Sequence, residues 1–358
     1  MRSFYDSIFF NVPHLRFPEF EKEWEETELQ DIVPNICSGK DKISNSGEIV
    51  LYGSTGVIGR TDFASYKENI VLVARVGANA GQMQIGNAPC GVTDNTLVID
   101  AKEWNNYIYY FLQRYNLNRL VFGSGQPLIT GGMLKKIKVR YGNKVERNKI
   151  TRLLCLLDER IATQNKIIED LKLLRDAISG LIFNSMKNEK TILLGNVACI
   201  SNGSGDVQDS DSIKRDGWYP FFDRSEEQKW FPTYSFNREA IIYAGEGQNF
   251  FPRYYKGKFA LHQRCYAITD FCECLLPKYC LYFMNTLNSY FIRNAVGSTV
   301  PSLRMDMFQK AKIKIPTIER QQEIVSTLDA LSLKCENEEI VRALYNTQKS
   351  YLLQQLFI

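Results

Sequence analysis

Residues 146–183, ERNKITRLLCLLDERIATQNKIIEDLKLLRDAISGLIF, constrain this chain more than any other stretch. They hold no Gly before Gly180, and Ile150, Leu154, Leu157, Ile161, Gln164, Ile168, Leu171, Arg175, Ile178 and Ile182 recur at alternating steps of four and three. That spacing is the a/d seam of a coiled coil, narrower than the apolar face of an ordinary surface helix. At 1.5 Å per residue such a helix runs roughly 57 Å, and in mid-chain a helix of that length spaces two bodies apart more often than it completes one core.

The seam occurs twice. Adding 174 to each stripe position gives Ile324, Leu328, Leu331, Cys335, Glu338, Arg342, Tyr345, Lys349, Leu352 and Leu356. The match starts upstream of the helix, where Gly123, Ser124, Pro127, Met133, Lys136 and Lys138 recur as Gly297, Ser298, Pro301, Met307, Lys310 and Lys312. A repeat this long means two copies of a domain rather than a solenoid. Each copy reads as a globular region, a Gly-Ser-x-x-Pro turn, a short basic strand and a long helix. The front parts align at an offset near 165, which we read as a first globular region about nine residues longer than the second. Gln164 and Arg175 lie opposite Glu338 and Lys349, polar positions that suit either a partly solvated helix or a device fixing helix register.

With 358 residues and 44% hydrophobic content, the chain can bury two sizeable cores. It has no apolar run of 18 residues and no apolar segment behind a basic start, so neither a membrane span nor a secretory signal is expected and the location is cytoplasmic. Nine cysteines without framework spacing fit reduced thiols better than disulfides. A net charge of +4 permits nucleic-acid binding without arguing for it. Distribution says more. Lys40, Lys42, Arg60, Arg75, Arg114 and Arg119 lie in the first globular region, and Lys214, Arg215, Arg224, Lys229, Arg253, Lys256, Lys258 and Arg264 in the second. Several stand beside Gly, Asn, Ser or aromatic residues, a mixture suited to phosphate and base-edge contacts, although loop solvation alone accounts for any single one.

In chain order, residues 1–26 form a Pro-punctuated, aromatic-rich arm expected to pack, extended, on a neighbouring element. Short β-like runs follow: LQDIVPNI, EIVLYG, NIVLVARVG and NTLVIDA, separated by the Gly-rich loops GSTGVIG and GANAG. NNYIYYFLQRYNLNRL has helical spacing and KKIKV reads as a basic strand. The second copy repeats the order with LLGNVACISNGSGD, WYPFFDRS, REAIIYAGEG, KFALHQRCYAITD and the helical KYCLYFMNTLNSYFIRNA. Similar frames with dissimilar loops suggest two binding surfaces of different specificity.

Catalytic chemistry has little material. The chain lacks GxxxxGK[ST], GSTGVIG misses the dinucleotide-binding spacing, and the Asn/Asp-Pro-Pro-aromatic string of an amino-methyltransferase is absent. Two histidines, His14 and His262, leave little for acid/base triads. His262, Cys265, Cys272, Cys274 and Cys280 are the one plausible metal cluster, but their spacing fits no paired CxxC ribbon, so buried thiols are the favoured reading. No catalytic and no metal residue is assigned.

The LRFPEF arm with Trp24, the runs VLYGSTGVIG and LVARVGANAG, the segment VTDNTLVI, the turn FGSGQPLITG and the two closing helices occur here in one order and on a repeat. In that order the chain resembles the specificity (S) subunit of type I restriction-modification systems across nearly its whole length. The resemblance implies an α+β fold: two α/β target recognition domains in pseudo-twofold repeat, separated by two long helices forming an antiparallel coiled coil. The expected organisation is an arm at 1–26, recognition domains at 27–145 and 187–318, and helices at 146–186 and 319–358. It implies double-stranded DNA as ligand, methyltransferase (M) subunits docking on the helices and restriction (R) subunits joining through them. S-adenosylmethionine, ATP and Mg would belong to those partners, with no cofactor in this chain. The second copy departs from the pattern at VPSL, where the first has QPLI, and in the charges Glu338, Arg342 and Lys349.

Physically, two reading heads on a rod of roughly 57 Å address positions more than one DNA turn, about 34–36 Å, apart, which means a gapped site with unlike halves. We place DNA-binding side chains at Lys40, Ser54, Thr55, Arg60, Arg75, Asn79 and Gln82 in the first head, with Arg75 as readily an ion-pair partner of Asp94. In the second head they are Arg215, Arg224, Gln228, Arg253, Lys256 and Arg264. The coiled-coil interface is assigned to Ile150, Leu154, Leu157, Ile161, Ile168, Leu171, Ile178, Ile182, Ile324, Leu328, Leu331, Leu352 and Leu356. The competing readings are the recognition subunit of a type IIB-like system and a coiled-coil scaffold unrelated to DNA.

Overall fold

A computed structural model describes residues 12–121, 127–297 and 299–358, so the start of the arm and the repeat anchors Gly123, Ser124 and Ser298 lie outside the described residues. The chain divides into two compact units, one ending at Lys166 and completed by Ile340–Ile358, the other running from Ile167 to Glu339.

The first unit runs β1 (Glu25–Glu28), α1 (Leu29–Ile32), β2 (Ile36–Ser38), β3 (Ile49–Gly53), β4 (Gly56–Thr61), β5 (Ile70–Ala74), β6 (Met83–Gly86), β7 (Cys90–Val92), β8 (Thr96–Ile99), α2 (Asn105–Tyr115), α3 (Gly131–Lys135), β9 (Lys138–Tyr141) and the first part of α4 (Lys144–Ser185). Its strands form an antiparallel sheet β2-β8-β5-β6, a sheet β4-β3-β7 in which β3 and β7 are parallel, and the pair β1-β9. IVLVA makes β5 because it is the central strand, buried on both faces and so apolar at every position. One side of that sheet packs on Ile108, Phe111 and Leu112 of α2 and on the chain's last residues. Phe357, 1% exposed, sits 5.3 Å from the Tyr107 ring, and burying such a side chain contributes about 2 kcal/mol.

The second unit repeats the plan: β10 (Lys190–Leu193), β11 (Cys199–Asn202), β12 (Tyr219–Phe222), β13 (Lys229–Phe231), β14 (Phe236–Ala244), β15 (Arg253–Leu261), β16 (Cys265–Thr269), α5 (Pro277–Asn285), α6 (Asn288–Asn294), α7 (Met305–Gln309), β17 (Lys312–Ile315) and the first part of α8 (Ile318–Leu356). Here one six-stranded sheet, β11-β16-β14-β15-β12-β13, replaces two sheets of the first unit. The cause is local. β15 runs nine residues without a break, whereas in the first copy Asn87, Ala88 and Pro89 part β6 from β7, and a proline cannot donate to a ladder.

The closing elements of the copies correspond at 174 (α3 with α7, β9 with β17, α4 with α8), and the opening strands β1 and β10 at 165. An offset that rises along the chain lengthens the second copy, so the nine-residue difference runs opposite to our expectation. Glu25 lies 113 residues before Lys138, and Lys190 lies 122 before Lys312. Part of the excess precedes β12, in the segment carrying Lys214 and Arg215. A second correction concerns LQDIVPNI. Leu29–Ile32 form a helical turn instead of a strand, because Leu29 and Val33, four apart, bury together while Pro34 ends the turn. A third concerns the thiols: Cys272 and Cys274 form a disulfide with Cα atoms 5.3 Å apart, in the turn after β16. Cys265 and Cys280 are buried free thiols, and burial pushes the Cys265 thiol up to about 11.

In α4 and α8 every seam position is buried or half-buried. Within the first unit Ile150 and Leu154 pack with Leu352, Leu356 and Phe357. Asp158 meets Lys349 at 2.6 Å and Asn165 meets Arg342, rising numbers facing falling ones, so the helices run antiparallel. Within the second unit Ile178 and Ile182 pack with Ile324 and Leu328, and Lys172 pairs with Glu339 at 2.6 Å. Gln164 is buried in the seam, at 6% exposure, and Lys349 is drawn into an ion pair.

Candidate nucleic-acid interface

One end of the first unit gathers four loops. Ser54 and Thr55 turn the β3–β4 hairpin, residues 75–82 link β5 to β6, 93–95 link β7 to β8, and 127–130 lead into α3. Backbone bonds tie them together: Thr93 N–H to Tyr52 O (3.0 Å), Arg75 N–H to Asn95 O (3.0 Å), Gly77 N–H to Pro127 O (3.0 Å) and Ile129 N–H to Arg75 O (2.9 Å). The Ser54 hydroxyl donates to Asn95 O at 2.9 Å, and the Gln82 amide donates to Asn79 Oδ1 at 3.1 Å.

The second unit ties its loops with the same bonds. His262 N–H reaches Phe222 O (2.9 Å), Gly247 N–H reaches Pro301 O (3.1 Å) and Leu303 N–H reaches Gly245 O (2.7 Å). Between them lies a cleft of about 420 Å³ lined by Asp223, Arg224, Lys229, Glu246, His262 and Arg264, among others. Lys229 is paired with the buried Asp223 at 2.7 Å, and Arg264 Nη1 with Glu246 Oε1 at 2.7 Å.

The structure brings some sequence-assigned residues together and disperses others. Ser54, Thr55, Arg75, Asn79 and Gln82 share the loop end of the first unit, and exposed Lys40 follows Gly39, which bonds Thr96 O. Arg60 does not join them. It lies opposite Val50, away from the hairpin turn, with its guanidinium on Glu48 O. Arg75 and Asp94 form no ion pair among the described residues.

In the second unit Arg224 and Arg264 line the cleft. Gln228 donates to Lys229 O at 2.6 Å in the β12–β13 turn. Arg215 is fixed by Asp211 at 2.6 Å and stacks 4.8 Å from the Trp218 ring. The Ile213 N–H, then Arg215, hold the Asp211 carboxyl below its ordinary range. Lys256 lies on β15 opposite Glu239, towards the far end of the sheet. Arg253 has an internal task, with Nη1 donating to Ser225 O at 2.9 Å and Nη2 to Asp223 O. Burial lowers its pKa, against the pull of Cys265 and Asp223. It shapes the loop that carries Arg224.

Sequence reasoning considered His262 only as a metal ligand and passed over Asn95, Glu246 and Gln263. The signal was VTDNTLVI, whose Thr-Asp-Asn is a turn between two apolar runs.

On the outer face of α4 in the first unit, Val145, Leu153 and Leu156 are exposed at 61%, 36% and 45%. With Phe17, Asn148, Lys149 and Arg152 they line an apolar groove. The repeat places Glu319, Thr327 and Ala330 at the matching positions of α8. No helix among the described residues is long and apolar enough to cross a membrane.

Comparison with known proteins bears on this arrangement. Residues 21–173 and 186–343 each match the type I restriction modification DNA specificity domain. The type I restriction enzyme EcoDI specificity subunit of Escherichia coli is 32% identical over 149 residues, 41% of this chain and 32% of that protein. The chain thus matches about a third of the length of that curated relative. The crystal structure of a type I restriction-modification S subunit from M. genitalium aligns over 97% of this chain and 99% of its own, with a TM-score of 0.67 at 16% identity. A structure from work on complex assembly and conformational transition of the type I system aligns over 96% and 99%, with a TM-score of 0.57 at 14% identity. At those identities the two structures speak to the fold.

Proposed function

The chain belongs to the type I restriction modification DNA specificity family, and from that premise we propose that it is the non-catalytic, sequence-reading subunit of a restriction-modification complex acting on double-stranded DNA in the cytoplasm. Each recognition domain, 27–145 and 187–318, reads one half of an asymmetric interrupted site. The helices 146–186 and 319–358 set the gap and dock methyltransferase subunits, and restriction subunits join through these. S-adenosylmethionine, ATP and Mg serve the partners.

One observation carries the reading: two copies of a loop cluster are tied by the same backbone bonds and differ in the side chains they present. A scaffold has no use for such a division, whereas a reader of two unlike half-sites requires it. The apolar groove on α4 supports partner docking, since a contiguous exposed apolar face marks an interaction site. A net charge of +4 supports weak binding of the chain alone and tight binding once partners enclose the DNA.

Single-molecule methylome sequencing of cells with and without the chain tests the proposal. An interrupted adenine-methylated motif that vanishes on deletion is expected; a motif that persists would refute it. A salt-dependent titration with and without methyltransferase subunits tests the division of affinity, and equal binding in both would overturn that part.

A further inference from the structure

Resting on that reading, the shared frame of the two copies carries it to single side chains. Tyr52 pairs with Val92 across parallel strands, and Phe222 pairs with Leu261 in the same way. Counting from these pairs, Arg224 stands where the first copy has Ser54, Glu246 stands at Val76, and His262, Gln263 and Arg264 stand at Thr93, Asp94 and Asn95. The bridges Val76–Leu128 and Glu246–Ser302 confirm the count from a second loop.

The same scaffold therefore presents different chemistry. In the second unit the Arg264 side chain is 66% exposed, its backbone N–H donates to His262 Nδ1 and its Nη1 is held by Glu246, while the other guanidinium donors have no partner among the described residues. A guanidinium anchored on one edge keeps a fork of N–H donors in fixed orientation, and that fork matches O6 and N7 of guanine in the major groove. Arg224, exposed across the same cleft, adds a second guanidinium within reach of the backbone or a base. In the first unit the corresponding place holds Asn95, exposed in the loop that Ser54 and Arg75 pin through its carbonyl. An asparagine amide offers the donor and acceptor that match adenine N7 and N6.

We propose that the loops 93–95 and 262–264 are the homologous base-reading loops of the two units, with Asn95 reading adenine, Arg264 reading guanine, and Glu246 acting as the positioning residue for Arg264.

The test uses the full chain assembled with its methyltransferase subunits, selected on random-sequence DNA at fixed salt, with melting temperatures measured alongside. For R264Q, preference at one guanine should fall about tenfold or more, in one half-site only. N95A should relax one adenine in the opposite half-site. E246Q keeps the arginine and should weaken the same guanine less than R264Q does. Wild-type selection by R264Q and N95A would overturn the proposal. So would changes in both half-sites from a single variant, or loss of all selection by both R264Q and E246Q at unchanged melting temperature. A wild-type complex that selects no interrupted site would defeat the proposed function itself, an outcome distinct from the others.

Discussion

Arg16 and Glu146 meet in a two-point ion pair, Nε to Oε1 at 2.7 Å and Nη2 to Oε2 at 2.9 Å, and their side chains are only 8% and 1% exposed. Arg16 lies in the N-terminal arm and Glu146 in the first turn of α4, where the Asn143 side chain caps the Glu146 N–H at 3.0 Å. Gly142 makes room for this, since a Cβ there would stand 2.1 Å from Glu146 Oε2. The pair fastens the arm to the start of the long helix.

Removing one partner of a buried pair leaves the other charge stranded, which costs far more than the intact pair contributes. Glu146→Ala should therefore lower stability by about 3–5 kcal/mol in denaturant unfolding. The double variant with Arg16→Met should recover a large part of that loss. A single variant as stable as wild type would contradict the fastening role.

A pH effect follows at the β1–β9 edge. Lys138 and Arg140 on β9 hydrogen-bond the Glu26 carboxylate on β1, at 2.9 and 2.7 Å, and hold its pKa below the ordinary value. A depressed folded pKa contributes stability above the unfolded value near 4.5, and that stability is lost as pH falls through the folded pKa. At neutral pH Glu26→Gln should melt slightly below wild type, and the two curves should converge under acid. The exposure of Lys138 keeps the difference small. A gap that widens as pH falls would reverse the sign and refute the assignment.

These contacts also mark what the sequence could and could not disclose. The two helices and the repeat were legible because a seam needs an apolar residue every three or four positions for dozens of residues, a pattern chance rarely keeps up. Loop chemistry was legible only in part. A basic residue in turn-like sequence is the same letter whether its guanidinium faces solvent, as with Arg224, or holds two carbonyls from beneath, as with Arg253. Only the fold decides. Asn95 escaped for the converse reason, because a neutral turn residue carries no charge to draw notice. Its importance comes from the Ser54 and Arg75 contacts made 41 and 20 residues away in sequence. The sheet break at Asn87–Pro89 and the helical turn at Leu29 did have local signals, Pro89 and the Leu29–Val33 spacing ahead of Pro34, but the short apolar runs around them read equally well as strand.

The apolar groove on α4 yields an assembly prediction. Leu153→Glu with Leu156→Glu puts charge on a face that is already solvent-exposed, so the melting temperature of the isolated chain should barely move. Covering the part of the two leucines that is still exposed, 36% and 45%, contributes about 1–2.5 kcal/mol together, so methyltransferase binding at this site should weaken about tenfold. Thr327→Glu with Ala330→Glu, at the matching places of α8, should cost less, because little apolar surface is lost there. Calorimetric titration would resolve two unequal binding sites in wild type and nearly equal ones in the α4 variant. Equal sites in wild type would sink the idea.

The seam itself gives the strongest test of the helices as a ruler. Within the first unit Asp158 faces Lys349 and Asn165 faces Arg342, within the second Lys172 faces Glu339, and residues 164–170 of α4 and 337–343 of α8 are one heptad each. Deleting both stretches removes one heptad from each helix and returns the flanking seam residues to register, with Ile161 followed by Leu171 and Cys335 by Tyr345. Each helix shortens by about 10.5 Å, equal to about three base pairs at 3.4 Å each. Methylome sequencing of cells carrying this variant should return the same two half-sites with a gap about three base pairs shorter. The loops at 93–95 and 262–264 are untouched by the deletion, so an altered half-site would mean that reading and spacing are not separable. An unchanged gap would mean that the helices do not set it.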